Sequence, residues 1–219
     1  MTVVERLFID SGSNRLEAQL CIPTDSVQGA FVLCHPNPPL GGNMFNKVIV
    51  KLADLFVKDG FSVLRYNMAG VGRSTGALPD PIGARRDLEA VCRWFDANHP
   101  TDDLWLAGYS YGAYLALSSQ VPGLPGAFAG RFPLKGIVAV AYPSTLPDYR
   151  LDRLPDIPMA FIHAWEDELI PAPAAAQYLE EKGSVKKIAW VEGANHSFDG
   201  KLAVLQATCR EALDLLKEK

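Results

Sequence analysis

Gly108-Tyr109-Ser110-Tyr111-Gly112 lies between a strand-like run, Leu104 to Ala107, and a helix-like run, Ala113 to Leu117. That order puts a serine on a strand-to-helix corner. A turn so sharp holds its central residue in a strained backbone conformation, at about 1 to 3 kcal/mol, and leaves no space for side chains two positions to either side. Glycine satisfies both flanks. The following helix would aim its free amides and positive dipole end at the serine hydroxyl. A serine hydroxyl is a weak nucleophile until an imidazole takes its proton, and the imidazole needs a carboxylate to fix its tautomer. Both types occur later in the chain. Asp167 lies in His163-Ala164-Trp165-Glu166-Asp167-Glu168-Leu169-Ile170-Pro171, just past a strand-like run, and His196 lies in Gly193-Ala194-Asn195-His196-Ser197-Phe198, just past the last one. The other histidines are worse placed: His35 precedes the acid, His99 follows a helix at the opposite rim, and His163 falls within a strand.

These side chains need a scaffold that brings strand ends to one rim. Short apolar runs at Phe31–Cys34, Phe61–Tyr66, Leu104–Ala107, Gly136–Ala141 and Met159–Ile162 read as strands buried on both faces. Val3–Ile9 and Leu16–Ile22 read as an antiparallel hairpin, and Lys186–Val191 as a last strand. Phe45, Val48, Ile49, Leu52, Leu55 and Phe56 repeat at helical spacing, with Gly60 as the stop. Asp80-Pro81 is a cap followed by a first-turn proline, and Ile82, Leu88, Val91, Cys92 and Phe95 supply that helix's apolar face. Leu202, Leu205, Cys209, Leu213 and Leu216 give a final amphipathic helix. The expectation is an α/β fold over residues 1–219 as a single domain: about eight strands, mainly parallel, flanked by helices. In such sheets chemistry gathers at the carboxyl ends of the strands.

The glycine-flanked serine, followed in order by Asp167 and His196, resembles the alpha/beta-hydrolase superfamily. Two further stretches, His35-Pro36-Asn37-Pro38-Pro39-Leu40-Gly41-Gly42 and Arg65-Tyr66-Asn67-Met68-Ala69-Gly70-Val71-Gly72-Arg73-Ser74, narrow the resemblance to small uncapped bacterial hydrolases distantly akin to dienelactone hydrolases. Dienelactone hydrolases themselves have cysteine in the place of Ser110. The resemblance implies a Ser110, Asp167, His196 triad, with Asp148 or Asp152 as the acid if it follows the preceding strand, and with Asp199 also near His196. It implies an oxyanion hole built from the backbone N–H of Tyr111 and one from the loop after the third strand. Prolines 36, 38 and 39 have no N–H, which leaves Asn37 as the donor between His35 and Leu40. The activity implied is cleavage of short-chain carboxylic esters through an acyl-enzyme, with no metal or organic cofactor. Thioester or peptide cleavage by the same triad, or a non-catalytic binding protein of this fold, are the alternatives.

Lipases with a helical cap insert it after the sixth strand, but here Tyr142 to Pro158 carries prolines at 143, 147, 155 and 158. An open site follows, with Tyr142, Trp165, Ile170 and Phe198 as expected pocket walls. Gly70-Val71-Gly72 does not extend to a dinucleotide fingerprint, since residue 75 is threonine. A net charge of −4 without basic clusters argues against a nucleic-acid partner. Small-molecule acyl esters are the expected ligands, and monomer or homodimer the expected state. Glu5 interrupts the N-terminal apolar pattern, and no run approaches the roughly 18 residues of a membrane span, so the expected location is cytoplasmic, without membrane attachment. Cys21, Cys34, Cys92 and Cys209 are scattered through apolar patterns and read as buried free thiols.

Overall fold

Two ten-residue strands, β1 (Thr2–Ser11) and β2 (Asn14–Pro23), form the hairpin at one edge of the molecule, with Val3 opposite Ile22 and Ile9 opposite Leu16. A computed structural model describes residues 2–25, 27–182 and 187–217. Six more strands complete the sheet: β3 (Gly29–Cys34), β4 (Phe61–Tyr66), β5 (Leu104–Tyr109), β6 (Leu134–Val140), β7 (Met159–Ala164) and β8 (Lys187–Val191). Their order is β1-β2-β4-β3-β5-β6-β7-β8. Only the β1–β2 and β2–β4 pairs are antiparallel; the others run parallel. The expected first residue of the last strand, Lys186, lies outside the described residues.

Among the described residues, five helices cover the two faces: α1 (Lys47–Lys58), α2 (Pro81–Asn98), α3 (Tyr111–Ser118), α4 (Ala172–Lys182) and α5 (Leu202–Lys217). Every residue of β3, β5 and β7 is buried, which explains their lack of polar alternation. Successive residues of β3 serve opposite cores. Phe31 and Leu33 pack with α1 and α5, whereas Ala30, Val32 and Cys34 pack with α2 and α3. The α1 side is anchored by Phe31 stacked on Phe56, with ring centroids 3.7 Å apart, and by Phe61 set edgewise at 5.0 Å.

The helix boundaries follow local chemistry. Asp80 accepts the Gly83 N–H and Pro81 opens α2, as that pair requires. Asn46 caps α1 by accepting from Val48, and Gly60 turns left-handed just beyond it. Phe45 consequently falls before the helix: it is 52% exposed and lies under the Arg65 guanidinium rather than on the apolar face. Three of the cysteines are buried thiols, but Cys21 is half-buried on the edge-side strand β2. Residues 141–158 form an irregular segment holding one short 3-10 turn, Pro147–Tyr149, and no cap is built there. Among the described residues, no helix is long and apolar enough to cross a membrane.

Candidate active site

Ser110 joins β5 to α3 with φ 55° and ψ −120°, a conformation rarely adopted by residues other than glycine. Its own N–H is tied to the Val140 carbonyl at 2.8 Å. The flanking glycines are required by contact distance. A Cβ on Gly108 would sit 2.2 Å from Gly112 backbone atoms, and one on Gly112 would sit 2.0 Å from the Cys34 carbonyl oxygen. The corner is therefore wedged against the end of β3, and the strain is held by backbone packing on both sides.

Asp167 follows β7, and its side chain is fully buried. One carboxylate oxygen accepts the N–H groups of Leu169 and Ile170, each at 2.9 Å. The other lies 2.8 Å from His196 Nδ1. A carboxylate can only accept here, so the proton resides on Nδ1 and Nε2 presents a lone pair. That nitrogen faces Ser110 Oγ at 3.1 Å. The three side chains thus form one continuous hydrogen-bonded line across residues 86 and 29 positions apart in the chain. The alternative acids stand elsewhere. Asp199 is paired with Lys47 and Asn195, which hold its carboxyl below the usual range. Asp148 sits in the exposed 3-10 turn, and Asp152 is exposed, with its backbone carbonyl accepting from Lys182.

The loop after β3 is organised by His35, which is completely buried. Its Nδ1–H donates to the Pro36 carbonyl at 2.8 Å, and its Nε2 accepts the Met68 N–H at 3.1 Å. Burial lowers its pKa to about 4, so the neutral ring that can do both jobs persists at ordinary pH. The Asn37 carbonyl then accepts from both Leu40 and Gly42, closing a tight coil. The Arg65–Ser74 stretch serves as its brace: Asn67 accepts the Met44 N–H and donates to Glu17, while Ser74 Oγ donates to the Asn67 carbonyl. Arg73 itself stays outside the site, over the Phe8 ring. Among the described residues, no protein acceptor takes the Asn37 N–H, and Tyr111 is the first residue of α3, where an amide has no helical partner. Both residues line the same cavity as Ser110 and His196.

That cavity has a volume of about 280 Å³. Of the four expected walls only Ile170 lines it. Tyr142 is fully buried, its hydroxyl donating to the Tyr149 carbonyl and accepting from Leu151. Phe198 is buried beneath the His196 loop in the α5-side core, and Trp165 lies half-exposed against Trp190. Aromatic character alone did not tell which face these rings occupy. The walls are instead Tyr109, Tyr111, Tyr149, Leu40, Leu146 and Leu169. Tyr111 was legible as an amide donor but not as a wall. Leu40, Leu146 and Leu169 come from three separate loops and had no periodicity to reveal them.

A family model described as serine aminopeptidase, S33, matches residues 25–127, the part that carries β3 and the serine corner. An alpha-beta serine hydrolase homologue from Coxiella burnetii is 28% identical, with a TM-score of 0.85, over 95% of this chain and 97% of that one. A serine hydrolase without a lid from Xanthomonas campestris is 27% identical, with a TM-score of 0.84, over 96% and 94%. An uncharacterised protein of Rickettsia prowazekii is 30% identical over 113 residues, 51% of this chain; the match spans about half the length of that relative, 48%. With the eight-stranded sheet and the capless 141–158 segment, these likenesses show an alpha/beta-hydrolase fold without a lid, and a chain similar over nearly its whole length to serine hydrolases of that kind.

Proposed function

We propose that the protein hydrolyses neutral carboxylic esters by nucleophilic catalysis at Ser110. The observation that carries this reading is the line from Ser110 Oγ to His196 Nε2 at 3.1 Å and from His196 Nδ1 to Asp167 at 2.8 Å. In this mechanism His196 takes the hydroxyl proton as Oγ attacks the ester carbonyl. The carbonyl oxygen gains negative charge and is received by the Asn37 and Tyr111 amides, each such donor contributing about 3 to 4 kcal/mol to the transition state. The imidazolium, stabilised by Asp167, returns its proton to the leaving alcohol as the C–O bond breaks. Water then enters, gives a proton to His196 and attacks the acyl carbonyl; the imidazolium passes that proton to Ser110 Oγ as the acyl C–O bond breaks, which releases the acid and regenerates the serine.

The cavity lining supports esters of uncharged groups. Apart from His196, the described residues around it are apolar, aromatic, glycine, serine or asparagine, with no Lys, Arg, Asp or Glu among them. A substrate carboxylate or ammonium would lose its water there without gaining a counter-charge. The description of the matching family model favours a second reading, removal of N-terminal amino acids, which would require an acidic group to hold the α-ammonium. Asp167 is committed to His196, Leu169 and Ile170, and Glu168 accepts the His196 N–H.

Turnover of p-nitrophenyl acetate and butyrate, set beside amino-acid p-nitroanilides, tests the assignment. Ester cleavage is expected, with Ser110→Ala or His196→Ala lowering kcat by about a millionfold and leaving only the residual rate that the amide donors and substrate binding support. Anilide cleavage outrunning ester cleavage, or ester turnover surviving Ser110→Ala, would contradict it.

A further inference from the structure

His196 occupies a loop whose geometry is costly to maintain. Phe198, two residues later, has φ 53° and is fully buried, a left-handed conformation that a bulky residue seldom adopts. Bonds inside the loop, such as Phe198 N–H to the Asn195 carbonyl and the paired contacts of Asn195 with Asp199, fix its shape. They do not fix its position relative to Ser110 and Asp167. The Glu166 N–H, donating to the Ala194 carbonyl at 3.0 Å, and the Lys47–Asp199 pair anchor the two ends of the loop; at His196 two further bonds hold it, and both end on its own main chain. The Tyr109 hydroxyl donates to the His196 carbonyl at 3.0 Å, and the His196 N–H donates to Glu168 Oε2 at 3.1 Å. Tyr109 directly precedes Ser110, and Glu168 directly follows Asp167. The Tyr109 ring also packs 5.5 Å from the imidazole and 6.4 Å from Phe198.

We propose that Tyr109 and Glu168 are positioning residues that clamp the His196 peptide from both sides, so that the chain neighbours of the nucleophile and of the acid set the imidazole between them. The inference rests on the triad reading above and adds two residues to it. Each bond couples the histidine loop to a partner whose own position is already fixed: Tyr109 through β5, and Glu168 through the loop held at the Asp167 carboxylate. A shift of about 1 Å in a reacting group can cost a hundredfold in rate, so two modest hydrogen bonds at this point have a large lever.

The test measures covalent modification of Ser110 by a small fluorophosphonate, resolved into a binding constant and a first-order inactivation rate. Tyr109→Phe is expected to slow the inactivation step about tenfold with the binding constant unchanged. Glu168→Ala is expected to slow it about threefold, and Glu168→Gln to restore it, because the amide oxygen still accepts the N–H. Thermal unfolding of each variant separates positioning from loss of fold, and the Glu168 pair decides the matter if Tyr109→Phe fails to fold. An unchanged inactivation rate in both Tyr109→Phe and Glu168→Ala, or a change confined to the binding constant, would overturn the clamp while leaving the triad standing. A wild-type protein that is never modified would remove the triad reading, and the clamp with it.

Discussion

Gly112 shows how closely a single atom constrains this site. The Cβ that alanine would add points at the Cys34 carbonyl, 2.0 Å away, and the obstacle is backbone rather than a side chain able to turn aside. Relief would require moving α3 away from β3, which would carry the Tyr111 amide and Ser110 with it. Gly112→Ala is accordingly expected to cost more than about 3 kcal/mol in stability, the severe end of overpacking. Chemical denaturation reads this directly; an unshifted midpoint would show that the corner has room the packing denies. The serine corner was legible because its two glycines answer a steric demand that appears in sequence as spacing. Tyr142 and Phe198 were misread because an aromatic residue near a strand end suits a core as well as a pocket, and only the observed contacts distinguish the two. The contact of Glu168 was not legible at all: its carboxylate receives the His196 N–H, a main-chain contact with no signature in residue spacing.

Among the elements, the strands buried on both faces were the most readable, since continuous apolar runs of four to six residues bounded by turns have few other uses. The parallel order follows from the helices between them. The hairpin register also followed the sequence, with Ile9 opposite Leu16 across a short turn at Gly12. The 141–158 segment was legible only negatively, as too rich in proline for a cap. Its contribution, Pro143, Leu146 and Tyr149 on the cavity wall, depends on the left-handed Ala141 that redirects the chain after β6, at φ 47°. Under the proposed ester hydrolysis this wall would confine the acyl group. Acetyl to butyryl esters are expected to give the highest kcat/KM in a p-nitrophenyl ester series, and Leu146→Ala to move the optimum toward longer chains, with each methylene accommodated worth up to about 0.8 kcal/mol. A wild-type preference for acyl chains beyond about ten carbons would contradict the confinement.

For the whole molecule, the buried histidines tie stability to pH. Burial lowers the pKa of both His35 and His163 to about 4; the His163 ring lies tilted beside Trp190, and among the described residues neither of its ring nitrogens has a hydrogen-bond partner. Well above pH 6.5 both rings are neutral whether the chain is folded or not, and they contribute no pH dependence. As pH falls below 6.5 the unfolded chain binds protons that the folded chain refuses, so the unfolded state is favoured progressively down to about pH 4. Each ring can account for roughly 3 kcal/mol of that loss. The carboxyl of Asp87, raised by burial, works in the opposite sense as it takes up its proton in the folded state. The melting temperature is therefore expected to drop between pH 7 and pH 4.5, and His163→Leu to lessen the drop. A flat profile in the wild type would mean that these rings are not held neutral.

The central claim concerns Ser110 as a nucleophile activated by His196. Its most direct measurement is intact-protein and peptide mass spectrometry after exposure to a fluorophosphonate. One adduct per chain, mapped to Ser110 and absent from Ser110→Ala and His196→Ala, is the predicted result. An adduct on another residue, or none on the folded wild-type protein, would contradict the account.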